Sequence, residues 1–175
     1  MKNLDIVICG HCSSPTYSGP YDIIYTCASL ALNAFPDSRV LVFRTATDDL
    51  LDDASLRQRD ELLSRGVIMV YNKDPLVGDR GALTTQLSEY ACGRYCLFIL
   101  QDCWIVQPSI LRKNIKKAID GDQDGMCYNS ITADKLCYGT NMVLLKDSCM
   151  NYYIDDPVLG VTPCMTEWKI YSHLK

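Results

Sequence analysis

Four short apolar runs alternate with segments of helical spacing between residues 4 and 100, and this order constrains the fold more than any other feature. Each run is rich in β-branched and aliphatic side chains and is bounded by polar residues, which indicates a buried strand. The runs cover residues 4–9, 39–44, 67–71 and 95–100. Strands that alternate with helices predict an α/β fold, in which a mainly parallel sheet is flanked by helices on both faces.

Helices are predicted wherever apolar residues recur every three or four positions. The first ends at Pro36, because proline cannot continue a helix, and the second is closed by Gly66, a typical residue just past a helix end. The predicted helices cover 22–35, 54–65, 82–92, 109–119 and 166–174. Two shorter strands are predicted over 126–128 and 142–145.

Length, charge and cysteine content exclude several classes of protein. The 175 residues fit one domain, and a net charge of −4 argues against a nucleic acid as the main partner. No apolar run approaches the roughly 20 residues of a membrane span, and the N-terminus lacks the features of a signal peptide. The ten cysteines include Cys27 and Cys96 inside apolar runs. Such thiols are typically free in a reducing compartment, so we expect a cytoplasmic protein.

The carboxyl ends of the predicted strands are the candidate binding region, because ligands of parallel sheets bind beyond these ends. A nucleotide diphosphate needs polar groups for its base and ribose, and a positive charge or a metal for its pyrophosphate. The strand ends and their loops contain suitable residues: Cys9, His11, Thr45, Asp48, Asp74, Arg80, Gln101 and Asp102. Loops are polar in every soluble protein, however, and Asp48 could also begin the helix that follows it.

One segment resembles the central signature of GT-A glycosyltransferases, in particular the family 2-like enzymes that use nucleotide sugars. Residues 91–108 read ACGRYCLFILQDCWIVQP, in which a helix ends in a small residue and Gly, an apolar strand follows, and an acidic motif and a Pro come next. The stretch DRGA at 79–82 resembles the segment that opens the helix before that strand. The resemblance covers residues 4–108 well and implies a GT-A, Rossmann-like fold and a nucleotide-sugar donor.

The acidic motif departs from the Asp-x-Asp of that family, because Asp102 is its single acid. Leu100 and Cys103 stand where related sequences often have the other acid, and a thiol is a poor ligand for magnesium or manganese. Three outcomes stay open. Asp102 alone could hold a divalent metal (Mn or Mg) with the diphosphate oxygens, a metal-independent enzyme could use Arg80 or Lys73, or the domain could have lost activity.

The resemblance also implies a catalytic acid in the C-terminal half. It divides the single domain of residues 1–175 into a nucleotide-binding half, 1–108, and an acceptor half, 109–175. Glu167 is the first candidate for the base that deprotonates the acceptor hydroxyl, and Asp156 is the second. Glu167 could instead stabilise the start of a helix. His173 is a candidate metal ligand, although a lone histidine is more often a surface residue.

The segment Cys9-Gly10-His11-Cys12 supports a rival hypothesis, a thiol-disulfide oxidoreductase. In such enzymes a helix N-terminus lowers the pKa of the first thiol, which then attacks a disulfide. Two prolines and a glycine follow within residues 13–20, however, which favours an extended loop over a helix. We therefore expect a glycosyltransferase that moves a sugar to a hydroxyl acceptor such as a glycan. The alternatives are the oxidoreductase and a nucleotide-binding module of the same fold without catalysis.

Overall fold

The structure is a computed structural model that describes residues 3–10, 21–44, 51–71, 94–101, 103–127, 130–132, 135–137 and 142–146. Within these residues the helices are α1 (Tyr21–Ala34), α2 (Asp53–Ser64) and α3 (Pro108–Asp120). The strands are β1 (Leu4–Gly10), β2 (Arg39–Arg44), β3 (Ile68–Tyr71), β4 (Tyr95–Leu100), β5 (Gly125–Cys127), β6 (Ser130–Thr132), β7 (Lys135–Cys137) and β8 (Met142–Lys146).

Six of these strands form one sheet in the order β3-β2-β1-β4-β8-β5. Strands β3, β2, β1 and β4 pair in parallel, whereas β8 pairs antiparallel with both β4 and β5. The predicted α/β fold with a mainly parallel sheet is therefore confirmed. Strands β6 and β7 form a separate antiparallel pair that the sequence pattern did not predict. The predicted helices 82–92 and 166–174 lie outside the described residues.

Strand β1 is the centre of the core, because side chains on both of its faces are buried. Leu4, Ile6 and Ile8 alternate toward one face, where they join a cluster with residues of α1, α2 and α3. Val7 points to the opposite face and is buried as well. A strand buried on both faces must be apolar along its whole length, which explains its continuous aliphatic sequence.

Helix α2 ends in a Schellman motif, in which two backbone N–H groups satisfy the last free carbonyls of the helix. The N–H of Gly66 donates to Leu63 O at 3.0 Å, and the N–H of Val67 donates to Leu62 O at 3.0 Å. Gly66 has φ 85°, the left-handed conformation that this motif requires. Leu62 and Val67 are both buried, so the turn also contributes to the core and directs the chain into β3.

The amino edge of the sheet is stabilised by ion pairs. Buried Asp5 of β1 accepts two hydrogen bonds from Arg39 of β2, at 2.7 and 3.0 Å, and the two residues are direct partners across the strands. Such bidentate pairs are strong, and this one satisfies a carboxylate that would be costly to bury alone.

A second cluster at the same edge joins the end of α3 to β4 and β8. Asp122 pairs with Arg94 at 2.6 Å and with Lys146 at 2.9 Å. The hydrogen bond from Lys146, the largest cause, lowers the pKa of Asp122 and in turn raises the pKa of Lys146. The hydroxyl of Tyr95 donates to Gln123 O at 3.1 Å, and burial raises its pKa. The charged side chains named at this edge are therefore engaged in ion pairs with one another.

We predict that Gly66→Ala destabilises the fold by about 1–2 kcal/mol, because an alanine pays this cost in the left-handed conformation. Apart from the glycine and its two chain neighbours, no heavy atom lies within 4 Å of the position of the added Cβ, so the loss is expected to come from the backbone alone. Chemical denaturation measures the free energy of unfolding. Gly66→Asn is the control and should lose less, since asparagine tolerates this conformation better. Equal stability of wild type and Gly66→Ala would contradict the left-handed conformation assigned to Gly66.

Candidate functional site

The strand order changes direction at β1, which makes the carboxyl ends of β1 and β4 a topological switch point of the sheet. From β1 the chain moves outward through β2 to β3, and then returns to β4 on the other side of β1. In open α/β sheets ligands bind beyond the carboxyl ends of the strands at such a point. The register aligns these ends, because Cys9 lies opposite Leu100 and Gly10 lies opposite Arg44.

Two of the predicted site residues belong to the described part of the chain. Cys9 lies one residue before the end of β1, and Gln101 follows β4 directly and is half-buried. The register places the backbone of Cys9 beside Leu100, the neighbour of Gln101. The other predicted residues lie outside the described residues and stay predictions: His11, Thr45, Asp48, Asp74, Arg80, Asp102, Asp156, Glu167 and His173.

The turn after β4 is held in place by a buried thiol of α1. Cys27 Sγ lies 3.4 Å from Cys103 O and 3.9 Å from Leu100 O, so its S–H can donate to either carbonyl. The backbone N–H of Cys103 donates to Leu100 O at 2.9 Å. These contacts fix the two residues that flank Gln101 and Asp102 in the sequence. The sequence predicted Cys27 as a core residue, but the contact with Cys103 has no local signal in the sequence.

Arg44 places a guanidinium at the same edge. It is the last residue of β2, it is buried, and its strand neighbours are Gly10 of β1 and Tyr71 of β3. A buried positive charge beside the end of β1 suits a site for anionic groups, since arginine matches the geometry of phosphates. This residue was not among the predicted site residues, because its polar type alone did not reveal that it is buried.

The described residues do not complete a metal site beside Asp102. Among them, no group of three or more His, Cys, Asp and Glu side chains could hold a metal ion. Leu100 is apolar, and Cys103 packs against the hydrophobic core, so neither supplies a second oxygen ligand. A divalent cation prefers oxygen, and the predicted metal residues Asp102 and His173 lie outside the described part.

The pairing of β1 disfavours the thiol oxidoreductase. Cys9 and Gly10 are both strand residues, and Cys9 is paired with Phe43 of β2 and Leu100 of β4. The first thiol of a Cys-x-x-Cys motif gains its low pKa at a helix N-terminus, and a paired position inside a central strand does not provide one. Cys27, Cys96 and Cys103 are free thiols among the described residues, as the sequence indicated for the first two.

We predict that Cys27→Ala lowers the free energy of unfolding by about 1–2 kcal/mol and speeds hydrogen exchange of the Cys103 amide. The alanine removes the thiol that holds the turn, whereas Cys27→Ser keeps a donor and should restore part of the protection. Cys96→Ala is the matched control, because it removes another buried thiol from β4. Equal acceleration at Cys103 in both alanine variants would contradict a specific role for Cys27.

None of the helices in the described ranges has the length and hydropathy that would let it cross a bilayer. No protein-family model and no curated protein matches the sequence.

Solved structures with the same fold include transferases of two kinds. The mannosyltransferase PcManGT from Pyrobaculum calidifontis, in complex with GDP-Man and Mn2+, matches 85% of this chain and 46% of its own, with TM-score 0.61 and 13% identity. A cytidylyltransferase from Leptospira borgpetersenii matches 95% of this chain and 72% of its own, with TM-score 0.63 and 13% identity. HddC from Yersinia pseudotuberculosis, complexed with GMP-PN, matches 89% of this chain and 80% of its own, with TM-score 0.58 and 14% identity.

These similarities confirm the predicted GT-A-like fold. At 13–14% identity they concern the fold alone, which the mannosyltransferase and the cytidylyltransferase share. The chain spans less than half the length of the mannosyltransferase, at 46%.

Proposed function

We propose that the chain is a nucleotide-sugar-dependent glycosyltransferase module. The observation that carries this proposal is the alignment of the carboxyl ends of β1 and β4 at the switch point of the sheet, with buried Arg44 at the end of β2 and Gln101 directly after β4. Two proteins of this fold were crystallised with GDP-Man or GMP-PN, which supports a nucleotide as the ligand class. The sheet supplies a rigid edge, and the loops beyond it supply the polar groups.

The donor would lie across the ends of β1 and β4, with each polar loop contributing one kind of contact. Asp48 or Asp74 would contact the base or ribose, together with Thr45, Cys9 or His11. Arg80 would oppose the diphosphate, and Asp102 would organise it. A manganese or magnesium ion would neutralise the diphosphate if one is bound, although no group of three or more His, Cys, Asp and Glu side chains among the described residues could hold it.

Transfer would proceed by displacement at the anomeric carbon. The acceptor oxygen forms a bond to this carbon, the bond from the carbon to the phosphate oxygen breaks, and the nucleoside diphosphate leaves. Glu167, or Asp156 as the second candidate, would take the proton of the acceptor hydroxyl. A single base suffices for inversion, so we favour an inverting course. The half of the chain over residues 109–175 would bind the acceptor.

Nucleotidyl transfer is the second candidate, because the similarity covers 72% of the cytidylyltransferase chain but only 46% of the mannosyltransferase chain. In that reaction a sugar-phosphate oxygen attacks the α-phosphorus of a nucleoside triphosphate and pyrophosphate leaves. The two reactions differ in their leaving groups. Release of pyrophosphate from a triphosphate identifies nucleotidyl transfer, and release of a nucleoside diphosphate from a nucleotide sugar identifies glycosyl transfer.

We predict that the protein binds at least one of the UDP, GDP or dTDP sugars, and that Asp102→Asn weakens this binding about tenfold or more. The loss is expected with manganese present, because Asp102 and the diphosphate are both negative and the carboxylate would act by holding an ion that the diphosphate oxygens also bind. Titration calorimetry with and without manganese measures the affinity.

Asp124→Asn is the matched control for this titration. Asp124 is exposed and precedes β5 near the amino edge, so its substitution should leave donor affinity unchanged. Absence of binding to every nucleotide sugar, with or without manganese, would refute the proposal. Equal affinity of wild type and Asp102→Asn would refute the role of Asp102.

A further inference from the structure

The segment after β4 has a charge that differs from the rest of the protein. Between Cys103 and Ile119 the sequence contains four basic residues and no acidic residue, whereas the whole chain has a net charge of −4. The basic residues all lie on α3: Arg112, Lys113, Lys116 and Lys117. An anionic partner would therefore be attracted to this segment although the protein as a whole is acidic.

The same segment exposes most of the large apolar side chains that face solvent in the described residues. Of the four such side chains there, three are Trp104, Val106 and Ile110, with exposed fractions of 54%, 81% and 53%. The fourth is Leu63 on α2, with an exposed fraction of 45%. Ile105 is buried and anchors the segment to the core. The exposed side chains thus belong to a fixed part of the fold, and exposing them to water has a cost that a partner would remove.

Helix α3 aligns Ile110 and two of the basic side chains on one face. Its buried side, Leu111, Ile115 and Ala118, packs on the core. Ile110, Lys113 and Lys117 follow the spacing i, i+3, i+7 and are exposed, so they form a stripe on the outer side.

The two lysines of this stripe are available to a partner. Within the described part of the chain, neither Lys113 nor Lys117 forms an ion pair. Lys116, in contrast, pairs with Asp120 at 2.6 Å, and Arg112 donates to Ala34 O at 3.2 Å. We call the set of Trp104, Val106, Ile110, Lys113 and Lys117 the apolar–basic surface.

We propose that the apolar–basic surface binds the surface of an anionic lipid bilayer. Exposed tryptophan and aliphatic side chains can enter the boundary between headgroups and acyl chains, while lysines remain with the lipid phosphates. A nucleic acid would attract the same lysines but would leave Val106 and Ile110 in water. An acidic bilayer complements both parts of the surface, because its phosphates attract the lysines and its acyl chains accept the apolar side chains. This complementarity of charge and hydropathy favours a bilayer as the partner.

The position of the apolar–basic surface indicates the class of acceptor, an inference that rests on the proposed function. Trp104 comes directly after Cys103, which ends the turn that follows β4. The apolar–basic surface therefore begins at the carboxyl edge of the sheet. Because α3 runs from this edge toward the amino edge, docking would lay α3 along the bilayer, with the donor site near the lipid at the end where Trp104 lies. A lipid-borne hydroxyl is then the acceptor class that the site would meet.

Sedimentation of the full chain with lipid vesicles tests the inference. Vesicles of phosphatidylcholine mixed with phosphatidylglycerol should bind the protein, and vesicles of phosphatidylcholine alone should bind it much more weakly. Each lysine near an anionic surface contributes enough to change the affinity about fivefold, so Lys113→Gln should weaken binding by about this factor. Ile110→Ser combined with Lys113→Gln should weaken it further, because it also removes an apolar anchor.

The matched control makes the same kinds of substitution on α2, as Leu63→Ser combined with Arg57→Gln. Both positions are exposed and both lie away from the segment 103–119, so this pair should bind vesicles like the wild type. Circular dichroism confirms that each variant is folded. Failure of the wild type to bind anionic vesicles would overturn the inference, and so would equal binding by the two double variants. Donor titration in solution is a separate readout, so failure of the proposed function would be distinguishable.

Discussion

The parallel pairing of β1 with both β2 and β4 is the interaction on which the rest of the structure depends. It buries β1 on both faces and therefore requires its continuous aliphatic sequence. Parallel strands also need crossover connections, which place α1 and α2 against the sheet. β2 and β4 lie on opposite sides of β1. The strand order therefore runs outward from β1 to β3 on one side, and then reverses when β4 is added on the other side. That reversal is the reason to expect a ligand site at the carboxyl edge.

The two edges of the sheet differ in their chemistry. At the amino edge, Asp5 pairs with Arg39, and Asp122 pairs with Arg94 and Lys146, so the charges there satisfy one another and join elements. The carboxyl edge contains a buried guanidinium, the amide of Gln101 and a turn held by the thiol of Cys27. The ion pairs of the amino edge join elements and serve stability, and the strand order makes the carboxyl edge the place where a ligand is expected to bind.

Local sequence patterns predicted the elements well and their pairing only in part. The four parallel strands were predicted from runs of buried aliphatic residues, and the end of α2 from Gly66, because both signals are local. The antiparallel pairing of β8 with β4 depends on contacts between distant segments, and the three-residue strands β6 and β7 are too short for a periodic signal. Exposure is also a property of the fold: Ile105 is buried and Val106 is exposed, although both are aliphatic. The catalytic and metal residues stay predictions, because they lie outside the described segments.

Hydrogen exchange with and without a nucleotide sugar tests most directly whether the donor binds at the carboxyl ends of β1 and β4. Backbone amides near a bound ligand lose contact with water and exchange more slowly. We expect slower exchange at Gly10, Gln101 and Cys103 when the donor is bound, and unchanged exchange at Tyr95 and Gln123 on the opposite edge. Protection confined to the amino edge, or protection at neither edge with donor bound, would contradict this location of the site.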